Sequence, residues 1–115
     1  MSATPVVSFD DKTIICRRPH LAVEKITWDE LREIEILTTD TGPILEDVFW
    51  VLHGDDKGCV IPQVADGFSE LMERLQKLPG FKNQVVIDAM ASATNARFCV
   101  WQKAGKPRRN ANGHE

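Results

Sequence analysis

The sequence predicts an α+β domain: an antiparallel, curled sheet with two helices packed on one side and a C-terminal closing strand. Three observations carry that expectation. Short runs rich in β-branched residues, separated by turn residues, fill the chain up to Pro62. Two segments with helical spacing follow, and strand character then returns in "ARFCVWQ".

The elements are justified in turn. "VVSFDDKTIICRRP" reads as two strands, Val6 to Phe9 and Thr13 to Arg17, joined by a tight turn at Asp10 and Asp11. Pro19 and His20 punctuate a second turn, after which Val23 and Ile26 belong to a third strand. "TWDELREIEIL" carries two signals. Thr27 and Glu30 have the spacing of a capping box, whereas Ile34 and Ile36 alternate with Glu33 and Glu35 as in a half-buried strand. The expectation is a short turn around Trp28 to Leu31 and a strand from Arg32 to Thr38.

Gly42 and Pro43 bend the chain within "TTDTGPILED", whose Thr and Asp side chains suit local turns. This segment reads either as an ordered connection between strands or as a recognition loop. "DVFWVLHG" supplies the central strand, Val48 to His53. Val48, Trp50 and Leu52 share one face and Phe49, Val51 and His53 the other, so both faces carry large apolar groups. One helical layer covers one face only. Either the sheet curls on itself, or an apolar patch remains for a partner or a second copy of the chain. "GDDKG" is a hairpin turn and "CVIP" a short strand ended by Pro62.

Phe68, Leu71, Met72, Leu75 and Leu78 recur at helical spacing, with Asp66 near the start and Pro79-Gly80 as the stop. Asn83 is placed to cap a second helix running to about Ala93, with Val86, Ile87, Met90 and Ala91 or Ala93 as its inward stripe. In the final strand Phe98 and Val100 oppose Cys99 and Trp101. The remainder, "KAGKPRRNANGHE", has nothing to bury, so residues 1–102 form a single globular domain and 103–115 a disordered basic tail.

Charge and cysteine content narrow the function classes. Residues 1–102 hold ten Lys/Arg against sixteen Asp/Glu, net −6, while residues 103–115 hold four against one, net +3. An acidic body repels phosphate backbones and anionic lipid, which argues against nucleic-acid binding by the folded body and favours a basic protein partner. With no apolar run near the ~20 residues of a membrane span, no signal-like N-terminus and an odd number of cysteines, the chain reads as cytoplasmic and away from membranes. Cys16, Cys59 and Cys99 each sit in apolar stretches without ligand spacing, as buried thiols do. Neither a metal site nor a cofactor is expected.

Motifs for nucleophilic catalysis or phosphate cradles are missing. Candidate binding residues are therefore polar groups in turns: Asp40, Glu46 and Asp47 before the central strand, His53 at its end, and Asp55 and Asp56 in the following hairpin. His53 beside Asp47, Asp55 or Asp56 would be an acid/base pair. Acidic turns, Asp10 and Asp11 included, would form a carboxylate patch if the sheet brings them to one end.

Residues 7–36, "VSFDDKTIICRRPHLAVEKITWDELREIEI", resemble the opening of bacterial pleckstrin-homology-like (PH-like) domains, in which a hairpin precedes an I-x-W-x-x-L step and an alternating strand. Residues 24–101, with "TTDTGP", "DVFWVL", "LQKLPGF" and "VIDAM", are similar to a set of small uncharacterised bacterial proteins. The resemblance implies a curled, partly closed sheet serving as a binding scaffold. The expectation is a non-enzymatic protein-interaction module that binds another protein, an immunity-type protein being one concrete form and a homodimer a further possibility. The alternative is a small-ligand-binding or enzymatic domain whose pocket lies between sheet and helices near His53.

Overall fold

The computed structural model describes residues 4–39, 48–92 and 94–103. The element order is β1 (Val6–Phe9), β2 (Thr13–Arg17), β3 (Glu24–Thr27), β4 (Glu33–Thr38), β5 (Val48–His53), β6 (Gly58–Pro62), α1 (Phe68–Leu75), α2 (Asn83–Met90) and β7 (Ala96–Gln102). All strand ladders are antiparallel. The α+β class and the C-terminal strand are as the sequence implies.

The strands lie in two sheets rather than the expected one: β1-β2-β3, and β6-β5-β4-β7. The reason lies at the β3–β6 seam. The backbone N–H of Val60 in β6 donates to the Glu24 carboxylate at 2.9 Å, and the Cys16 thiol donates to the Val60 carbonyl at 3.4 Å. Side chains from β3 and β2 thus occupy the hydrogen-bonding groups that a backbone ladder would have used. The far edge of the small sheet is also engaged, because Val7 N–H donates to Asp66 carbonyl at 2.8 Å and Asp66 N–H to Pro5 carbonyl at 2.9 Å.

Both sheets turn one face toward a common core. Ile14, Cys16 and Ile26 enter from the small sheet, and Ile34, Ile36, Trp50, Leu52, Cys59, Ile61 and Val100 from the large one. Leu71 and Leu75 of α1 are fully buried against them, and Trp50 packs between Phe68, at a ring distance of 5.2 Å, and Phe81, stacked at 6.5 Å. Trp101 anchors the Pro79 turn by donating its indole N–H to the Pro79 carbonyl at 2.8 Å.

Thr27 and Glu30 make both reciprocal capping-box hydrogen bonds, at 3.0 and 3.1 Å, and close the turn expected around Trp28 to Leu31. Other local expectations change. Glu33 and Glu35 are buried, at 6% and 8% exposure, where alternation implied solvent. β4 is an inner strand flanked by β5 and β7, and on that face His53 and Arg97 meet the Glu35 carboxylate. Asp66 does not cap α1; it serves the bridge to β1, and Gly67 is the N-cap with positive φ.

Asn83 lies inside α2, with Lys82 as N-cap and the Asn83 amide oxygen accepting from Gln76 at 2.9 Å. The inward stripe of α2 is Val85, Val86 and Ala89, while Ile87 and Met90 are 60% and 42% exposed. The Lys82 N–H bond to the Val100 carbonyl at 2.8 Å sets how the helix is rotated on β7. In β7 a bulge between the partners of Ile34 and Glu35 puts Val100 and Trp101 both in buried positions. Lys103, expected in the tail, donates its backbone N–H to Arg32 carbonyl at 2.8 Å; residues 104–115 lie outside the described residues.

Candidate functional site

The acidic turns come together. The β1–β2 turn is held by the Asp10 carboxylate, which accepts from the backbone N–H groups of Lys12 and Thr13, both at 2.8 Å. Those two bonds hold the Asp10 carboxyl below its ordinary range. The Trp28 indole N–H donates to the Asp10 carbonyl at 2.7 Å and ties this turn to the β3–β4 connection. The Arg74 guanidinium stacks over that indole at 4.4 Å.

Two hollows lie side by side on this end of the molecule and share Asp29. One, about 230 Å³, is lined by Asp11, Lys12, Thr27, Trp28 and Asp29. The other, about 390 Å³, is lined by Asp29, Glu30, Arg32, Asp55, Asp56 and Lys57. Within it Arg32 pairs with Asp55 at 3.3 Å and Lys57 with Glu30 at 3.2 Å. The Thr27 backbone N–H, then Lys57, hold the Glu30 carboxyl below its ordinary range. Asp11, Asp29 and Asp56 are exposed and have no ion-pair partner among the described residues.

His53 takes a different place. Its Nε2 lies 2.8 Å from Glu35 Oε1, which also accepts from Arg97 at 3.2 Å. Of the carboxylates expected beside His53, Asp55 pairs with Arg32 and Asp47 lies outside the described residues. Strand parity sends His53 to the outer face of the large sheet, where Glu35 is on the adjoining strand, whereas Asp55 turns to Arg32. Asp40, Glu46 and Asp47 lie outside the described residues.

A third feature is a groove of about 350 Å³ between β5, α1 and α2, lined by Trp50, Gln63, Phe68, Ser69, Met72, Val86 and Met90. It occupies the space between sheet and helices where a ligand pocket was expected, but without His53, which faces the other way. The Trp50 indole N–H donates to Gln63 Oε1 at 2.9 Å.

The thiols are not activated. Burial raises the Cys16 thiol, pushes Cys59 up to about 12, and raises Cys99 with help from the neighbouring Glu33 carboxylate. Among the described residues no group of three His, Cys, Asp or Glu is arranged to hold a metal ion. Nor is any helix among them long and apolar enough to cross a membrane.

Sequence reasoning missed Asp29, Glu30 and Arg32 at the acidic end, Glu35 as the partner of His53, and Gln63 in the groove. The Thr27/Glu30 capping-box spacing was the available signal for the second acidic turn. Nothing local marks the other residues. Fold and site together define a small α+β domain of two antiparallel sheets with a charged end built from three turns. The chain matches no family model, no curated protein and no solved structure.

Proposed function

We infer that the chain is a non-enzymatic protein-interaction module that receives a basic protein partner at the end formed by the β1–β2, β3–β4 and β5–β6 turns. The observation that carries this reading is the convergence of those turns on two adjoining hollows that share Asp29. Carboxylates presented by short, hydrogen-bonded turns lose little conformational freedom when a cationic surface docks. Asp11, Asp29 and Asp56 supply the attraction, and the internally paired Glu30–Lys57 and Asp55–Arg32 hold the frame. Charge complementarity of this kind acts mainly on the association rate and on the choice of partner.

An immunity-type role, in which the acidic end covers the basic cleft of a nuclease-like toxin in the bacterial cytoplasm, is the concrete form of the proposal. On the same reading the sheets are a scaffold of the PH-like kind, and the module works without a cofactor. The test is affinity capture of a basic protein at low and at moderate salt, with the wild type and an Asp11→Asn/Asp29→Asn/Asp56→Asn variant. Capture that weakens with salt and is lost in the variant supports the proposal. Capture indifferent to the three substitutions, or no basic protein at low salt, refutes it.

A further inference from the structure

We propose that the groove between β5, α1 and α2 is a binding site for a small, neutral, apolar molecule carrying a carbonyl group. The site is independent of the acidic end. Its volume, about 350 Å³, lies in the range of small-molecule pockets. Met72, Val86 and Met90 form its walls, and fully buried Trp50 lies at its base.

The polar group that selects the ligand is Gln63. An indole N–H is a donor only, so the Trp50 bond fixes Gln63 Oε1 toward the indole and leaves Nε2 as the group offered to the groove. There Nε2 meets the thioether of Met90 at 3.7 Å, a weak acceptor. A carbonyl oxygen is a stronger one and would take its place. Met90 is 42% exposed and unbranched, so it can swing aside without disturbing the core. No Lys or Arg lines the groove, so an anionic ligand would lose hydration without gaining an ion pair. These features point to a neutral ketone, ester or amide with an apolar body.

The probes are 4-phenylbutan-2-one and its hydrocarbon isostere 3-methylbutylbenzene, titrated into the full chain while the Gln63 side-chain amide and the Trp50 indole N–H are followed by NMR. The ketone is expected to shift both resonances on binding. Gln63→Glu keeps an acceptor for Trp50 but removes the donor, and should weaken the ketone relative to the isostere by about threefold to tenfold, the contribution of one net hydrogen bond. Ser69→Trp, at an exposed position on the groove, should block both probes. The proposal is overturned if the ketone leaves both resonances unmoved to its solubility limit. A ketone-to-isostere affinity ratio left unchanged by Gln63→Glu would overturn it equally.

Discussion

Gly67 joins α1 to the edge of the small sheet, and replacing it with alanine separates two effects. Its φ of 89° is in the left-handed region, where an L side chain costs about 1–2 kcal/mol. A Cβ there would fall on the Val7 carbonyl oxygen, well inside van der Waals contact with rigid backbone. Relief requires β1 and the 65–67 segment to part, which breaks Val7 N–H to Asp66 O and Asp66 N–H to Pro5 O. Each such bond contributes about 0.5–1.5 kcal/mol net, so Gly67→Ala should destabilise by about 3 kcal/mol in all.

Gly80→Ala is the internal control. Its φ is 85°, but a Cβ there meets nothing within 4 Å, so only the conformational part remains. Both variants gain about 0.4–1 kcal/mol from a stiffer unfolded chain, which cancels in the comparison. Urea unfolding should therefore place the Gly67→Ala midpoint about 1–2 M below that of Gly80→Ala at an unchanged slope. Equal midpoints would refute the argument that the β1 bridge depends on the absence of a side chain at Gly67.

Two further predictions concern the seam and the acidic end. Glu24→Ala removes the carboxylate that accepts from Val60 N–H, and should destabilise by about 1–2 kcal/mol in urea, with Glu24→Gln losing less because it keeps an acceptor; equal losses would show that the acceptor is not what closes the seam. The Asp10 and Glu30 carboxyls are held below their ordinary range in the folded chain, so their contribution to stability is complete above that range, about pH 4, and is lost as pH falls through the lowered folded values. The unfolding midpoint should drop between pH 6 and pH 3, and an Asp10→Asn/Glu30→Gln variant should drop less; parallel declines would remove both groups from the account.

How much of the site was legible follows the same physics as the fold. Asp55 and Asp56 could be placed in a hairpin from "GDDKG" alone, because turn chemistry is local. That their turn meets those of Asp11 and Asp29 could not be read, since it depends on how two sheets pack. His53 is instructive: its position at a strand end was evident, and parity put it on the face of Phe49 and Val51. Its partner Glu35 depends on the register between β4 and β5, which no local pattern specifies.

The sequence by itself determined the class, the order of the elements and most of their bounds, because side-chain period and turn residues act within a few positions. Val6–Phe9, Thr13–Arg17 and Val48–His53 coincide with their expected limits. Only the tertiary structure decided the division into two sheets, the burial of Glu33 and Glu35, the rotation of α2 onto Val85, Val86 and Ala89, and the meeting of three acidic turns. Each of these is set by a neighbour distant in sequence: Glu24 on Val60, β7 beside β4, Lys82 on Val100, Trp28 on Asp10. Periodicity states which side chains share a face; the partner that covers the face is selected by packing.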